Sequence, residues 1–156
     1  MTRFWLTAFL TAVTVAFAPT AALADPGHDH FSAGAPGDPR KPARTVEIVM
    51  REGDGKMEYV PSRIEVRRNE QIRFVLKNAG ELAHEFVLAS TADNLKHAEL
   101  MKKFPEMEHD DPNAKTLAPE ADGELLWRFT KRGQFEFGCL IPGHREAGMT
   151  GIVVVK

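Results

Sequence analysis

The chain has 156 residues, 43% hydrophobic and 27% charged, enough for one soluble domain with a real core. Its formal net charge of −2 offers no electrostatic footprint for nucleic acid. A single cysteine, Cys139, excludes an internal disulfide.

Residues 1–24 read as a secretory signal peptide. Arg3 gives a short positive start, residues 4–18 form an apolar run, and Ala22, Leu23 and Ala24 supply small residues before a cut after Ala24. The run is short for a membrane span and no second one follows, so no span is expected after cleavage. Export makes the odd cysteine informative, because exported chains normally use cysteines in pairs. Residues 25–44 are rich in Pro, Gly, Asp and Ala, hold few apolar residues that could pack, and read as a flexible lead-in. His28 and His30 lie there and suit at most a weak, flexible copper contact.

From Thr45 the hydrophobic period becomes two. Val46, Ile48 and Met50 share one face, and Gly53-Asp54-Gly55 signals a turn. A short strand from Met57 ends at Pro61; Ile64 and Val66 alternate with charged residues, as do Ile72, Phe74 and Leu76 after the turn at Arg68-Asn69-Glu70. His84, Phe86 and Leu88 share a parity. Residues 91–104 break the pattern: Leu95, Ala98, Met101, Leu100 and Phe104 fit a helical stripe that Thr91 or Asp93 would cap. Residues 105–119 read as a polar loop. Strands resume with Leu125, Trp127 and Phe129, then Phe135, Phe137 and Cys139, and close with residues 152–155. The expectation is an all-β, Greek-key sandwich of seven or eight strands over residues 45–156, with a helical insertion at 91–104.

The chemistry gathers near the end of the chain. Cys139, His144 and Met149 are spaced five apart on one loop between two strands. Strand parity points Cys139 inward with Phe135 and Phe137, and His84 inward with Phe86 and Leu88. Alone, an inward cysteine is usually packing, a methionine usually core, and a histidine a satisfied polar group. Together they match two imidazoles and a thiolate in a plane with a weak axial thioether, a set that suits copper. Thioether is a poor zinc ligand, which disfavours the main rival ion. The expected cofactor is therefore copper, Cu(II) or Cu(I), in one type 1 centre held by His84, Cys139, His144 and Met149.

The run Gly138-Cys139-Leu140-Ile141-Pro142-Gly143-His144, followed by Gly148-Met149-Thr150-Gly151, resembles the copper loop of cupredoxins such as azurin, plastocyanin and rusticyanin. The stretch from His28 to Arg44, the segment Gly80-Glu81-Leu82-Ala83-His84-Glu85-Phe86 and the insertion Asn94-Leu95-Lys96-His97-Ala98-Glu99 resemble the narrower CopI-type periplasmic cupredoxins. The resemblance implies a periplasmic, monomeric protein that handles copper ions and confers copper tolerance. It implies as a second reading an electron carrier, with His144 near the surface and Leu140, Ile141, Pro142 and Ala147 around it forming a transient docking patch for a redox or copper-transfer partner. One departure stands out: many electron-carrying cupredoxins place Asn after the first histidine ligand, and here the residue is Glu85.

His97, Met101, Met107 and His109 form a candidate second copper site, since mixed His and Met groups hold either copper oxidation state. Oxidase or reductase chemistry would need that second copper. Multicopper enzymes usually carry a histidine beside the copper cysteine, whereas Cys139 is flanked by Gly138 and Leu140. The expectation is therefore not an enzyme.

Overall fold

A computed structural model describes residues 31–104 and 111–156. The described residues form ten strands and one helix: β1 (Ala35–Pro36), β2 (Arg44–Gly53), β3 (Lys56–Val60), β4 (Arg63–Val66), β5 (Gln71–Asn78), β6 (His84–Ala89), α1 (Thr91–Lys103), β7 (Ala114–Leu117), β8 (Asp122–Arg128), β9 (Gly133–Gly138) and β10 (Thr150–Val155). Two five-stranded sheets face each other, in the orders β1-β8-β5-β2-β3 and β4-β10-β9-β6-β7. The expected β-sandwich with its helical insertion is the architecture observed, although the strands number ten, not seven or eight.

Alternation builds the core as the sequence suggested. On β5, Ile72, Phe74 and Leu76 are fully buried; Ile48 and Met50 on β2 and Phe86 and Leu88 on β6 meet them. Phe137 packs between Tyr59 and Phe86, each ring centroid 5.1 Å away, and Phe74 lies 5.1 Å from Phe86. The β2–β3 hairpin closes through Asp54 and Gly55 at φ 52° and 72°, the paired positive angles that a right-twisted two-residue turn needs.

The two added strands come from segments that read as irregular. β7 lies within the expected polar loop and pairs antiparallel with β6, placing His84 opposite Leu117. β1 lies within the expected flexible lead-in and pairs with β8. Over residues 31–44 that lead-in is tied down. Ala33 is fully buried, the Phe31 ring meets Trp127 edge-on at 5.3 Å, and Trp127 Nε1–H donates to the Ala33 carbonyl at 3.3 Å. Gln71 locks the next residues by donating to the carbonyls of Asp38 and Lys41 and accepting from the Asp38 amide at 2.7 Å. The composition hid this because backbone and one glutamine, not apolar side chains, do most of the tying. His28, His30, the proposed signal peptide at 1–24 and residues 105–110 lie outside the described residues.

Helix α1 differs from its sequence reading in which face is buried. Its cap is Ser90, whose hydroxyl accepts from the Asp93 amide at 3.1 Å, not Thr91 or Asp93. Asn94, Ala98 and Met101 form the buried stripe, while Leu95, Leu100 and Phe104 are exposed. The helix covers the outer face of the second sheet, where Glu136 is 7% exposed despite its outward parity.

Candidate metal centre

Three neighbouring strands deliver the site to one end of the second sheet. β9 lies between β10 and β6. Cys139 follows β9 directly, Met149 precedes β10, and His84 opens β6. The β9–β10 ladder continues one step past its last pair, with the Cys139 amide donating to the Met149 carbonyl at 3.2 Å. The loop between them folds on itself: Ala147 donates to Gly143, Gly148 to Arg145 and Met149 to His144, all at 3.0–3.1 Å. This tight coil brings His144 back over Cys139.

The donor atoms converge. His84 Nδ1 lies 3.2 Å from His144 Nδ1, and Cys139 Sγ lies 3.4 Å from His144 Nδ1. The three ligating atoms all fall within 4.8 Å of one another, the one such group of His, Cys, Asp or Glu among the described residues. Cys139, His84 and Met149 are fully buried; His144 is half-buried and faces the surface.

The electrostatics favour a cation at that point. Burial works against the Glu52 carboxyl ionising, but hydrogen bonds from His84 and from the amides of Glu81 and Leu82 outweigh it and hold the pKa below the ordinary carboxylate value. An ionised carboxylate only accepts, so His84 Nε2, 2.7 Å from Glu52 Oε2, carries the hydrogen. His84 Nδ1 faces the Nδ1 of His144. Burial lowers the His144 pKa, so that ring is neutral near pH 7. Burial also pushes the Cys139 thiol up to about 12, against the opposing pull of the amides of Glu85 and Ile141. Two imidazole nitrogens and a sulfur converge on one point. The residues present therefore fit a soft, nitrogen- and sulfur-loving ion such as copper.

A buried framework surrounds these atoms. The Glu85 amide donates to Cys139 Sγ at 3.3 Å, and the Tyr59 hydroxyl donates to the Glu85 carbonyl. The Glu85 carboxylate itself turns away to accept from Thr116 Oγ1 at 3.3 Å. Arg145, next to His144, donates through Nη2 to both oxygens of Glu136 at 2.8–2.9 Å, and Asn94 of α1 donates to the same carboxylate at 3.3 Å. Leu140 joins Val87, Ala98 and Met101 in a small buried cluster. At 1% exposed, it lies under α1 and cannot belong to a surface patch around His144, so that patch reduces to Ile141, Pro142 and Ala147.

Of the candidate second site, His97 and Met101 lie among the described residues. Met101 is 4% exposed and faces Leu140 in that cluster, while His97 borders an open depression with Asp93, Lys96 and Glu99. Met107 and His109 lie outside the described residues.

Sequence reasoning missed Glu52, Tyr59, Asn94, Glu136 and Arg145. Glu52 left one signal: it continues the inward parity of Val46, Ile48 and Met50, where a carboxylate needs a reason.

The chain is similar to known copper proteins. The plastocyanin/azurin family of copper-binding proteins matches residues 46–156. The copper-resistant cuproprotein CopI of Rubrivivax gelatinosus is 49% identical over 94% of this chain and 94% of its own length. CopI of Pseudomonas aeruginosa is 34% identical over 97% of this chain and 96% of its own. Among solved structures, reduced auracyanin from Roseiflexus castenholzii superposes with a TM-score of 0.60 at 20% identity, covering 73% of this chain and 98% of that one; this likeness speaks to fold.

Proposed function

Because this chain belongs to the plastocyanin/azurin family of copper-binding proteins, in its CopI-type branch, we propose that it binds one copper ion in the periplasm and protects the cell from copper excess. The observation that carries this is the convergence of His84 Nδ1, Cys139 Sγ and His144 Nδ1 within 4.8 Å, in a buried pocket. His84, Cys139 and His144 would hold the ion as strong ligands, with buried Met149 as a weak fourth. The copper-resistance role rests on the relatives' names. Export with cleavage after Ala24 rests on the sequence of residues 1–24, and the functional domain is residues 45–156, with 31–44 strapped to it.

Copper, when bound, supplies a one-electron couple and a strong affinity for thiolate. The chain does the rest. Cys139 gives up its proton on loading, and the Glu85 amide then stabilises the thiolate charge. His144 enters neutral, and both imidazoles are already aimed. The core around Phe86 and Phe137 keeps water out, so the ligands shift little between oxidation states.

Purified protein loaded with Cu(II) tests this directly. One equivalent and an intense thiolate-to-copper absorption are expected, together with copper-sensitive growth of a strain lacking the gene. Normal growth of that strain in excess copper removes the protective role. A second reading, transient electron transfer, is favoured by half-buried His144 beside Ile141, Pro142 and Ala147. Fast electron exchange with respiratory partners would support it.

A further inference from the structure

One carboxylate outside the proposed ligand set reaches the centre. Glu52 lies near the end of β2, in the first sheet, whereas His84 opens β6 in the second. Its side chain is 20% exposed, against 0% for His84. Every oxygen is engaged. Oε1 accepts from the amides of Glu81 and Leu82 at 2.5 and 2.8 Å, and Oε2 accepts from His84 Nε2–H at 2.7 Å.

The chain is shaped to admit this carboxylate. A Cβ at residue 80 would stand 1.8 Å from Glu52 Oε2, so Gly80 leaves the space it occupies. Asn78 braces the same loop, accepting from the Gly80 amide at 3.0 Å and donating to the Leu82 carbonyl at 2.8 Å. The Ala79 amide donates to Met50, two residues before Glu52, at 2.9 Å. The segment from Asn78 to His84, which crosses from the first sheet to the second, is thus wrapped around one side chain of β2.

We propose that Glu52 is the positioning residue for the copper centre: it fixes the His84 tautomer with hydrogen on Nε2, aims Nδ1 at Cys139 and His144, and makes that imidazole a stronger donor to Cu(II). The inference rests on the copper reading above. A carboxylate that accepts a ligand imidazole's distal N–H orients the ring and raises its basicity. A more basic nitrogen favours the harder oxidation state, so Glu52 lowers the reduction potential.

Glu52→Gln is the discriminating variant. It is nearly isosteric, and its carbonyl oxygen can still accept from Glu81 and Leu82. Its NH₂ group then faces His84 Nε2, and two donors cannot pair. Either His84 moves its hydrogen to Nδ1, opposing the metal, or the amide rotates and releases the loop.

Two measurements separate this inference from the reading beneath it. In metal-free wild type, nitrogen-15 spectra of the histidines should show hydrogen on Nε2 of His84; hydrogen on Nδ1 overturns the proposal whether or not copper binds. In loaded protein, Glu52→Gln should bind Cu(II) about 10–100-fold more weakly. Its potential should rise, by ~59 mV for each tenfold by which Cu(II) affinity falls more than Cu(I) affinity. A folded Glu52→Gln with unchanged potential and Cu(II) affinity also overturns it. If Glu52→Gln does not fold, Glu52→Asp takes its place, with a smaller rise in potential expected and no change counting against. Wild type with the expected tautomer but no thiolate-to-copper absorption defeats the copper reading and leaves the positioning of His84 standing.

Discussion

The two halves of the centre are held in opposite ways. Cys139, His144 and Met149 share one short loop whose own backbone bonds coil it into shape, with Glu136 gripping Arg145 from the preceding strand. His84 depends on partners farther off in the chain. Its ring is oriented by Glu52, 32 residues earlier, and its loop by Asn78, which also donates to the carbonyls of Leu117 and Ala118 some 40 residues later. One half is a cassette; the other is a junction where several distant segments must arrive together. Damage to the cassette should therefore act on the metal and the loop, and damage to the junction on the fold as well.

The largest effect expected is at the cassette's sulfur. Cys139→Ser should abolish the thiolate-to-copper absorption while leaving a folded sandwich, read by optical spectroscopy and circular dichroism. Retained absorption would remove Cys139 from the centre. Next comes proton release. With its thiol raised to about 12 by burial, Cys139 is protonated at neutral pH and must lose that hydrogen to bind copper. His144 stays neutral there and adds no second proton. Cu(II) affinity should therefore rise about tenfold per pH unit, measured by competition with a chelator from about pH 7 to about pH 9. A flat profile would contradict a buried, protonated thiol.

Packing under the cassette ranks third. Met101→Ala should cost about 2–5 kcal/mol in denaturant unfolding, with copper stoichiometry unchanged, because Met101 is core under Leu140. Loss of a copper equivalent would instead make Met101 a ligand. Glu136→Ala leaves Arg145 without its carboxylate. A fully buried pair so broken costs 3–5 kcal/mol; with the Arg145 side chain 21% exposed, about 2 kcal/mol is expected. Its sharper sign is faster loss of copper, since His144 adjoins Arg145. Smallest is Lys102→Ala. The exposed contacts of Lys102 with Glu99 and with Glu146 of the loop are screened by solvent, so the variant's denaturant midpoint should match wild type.

The same contrast explains what could be read from the residues. The cassette was legible because five-residue spacing, soft ligand types and the flanking strands all lie within one stretch of chain. His84 was reached only through parity with Phe86 and Leu88. Glu52 was missed because its partner is set by two sheets meeting, which no local period encodes. Helix α1 was found, but its buried stripe was assigned by hydrophobicity. Leu95, Leu100 and Phe104 of that stripe are exposed, whereas Asn94 is buried, its Nδ2 donating to the carbonyls of Val87 and Glu136 while its Oδ1 has no partner among the described residues. A polar residue with backbone partners won the inner face because the sheet beneath presents carbonyls and a carboxylate. The lead-in was misjudged for a related reason: pairing of β1 and the grip of Gln71 need almost no apolar side chain.

The contact between Trp127 and the carbonyl of Ala33 has a practical consequence. The chain contains two tryptophans, and the other, Trp5, falls in the segment expected to be removed on export. The mature protein would then carry a single indole, pinned beneath its own leading strap. Its emission would respond to detachment of that strap, giving an intrinsic optical gauge of how firmly the front of the chain stays docked.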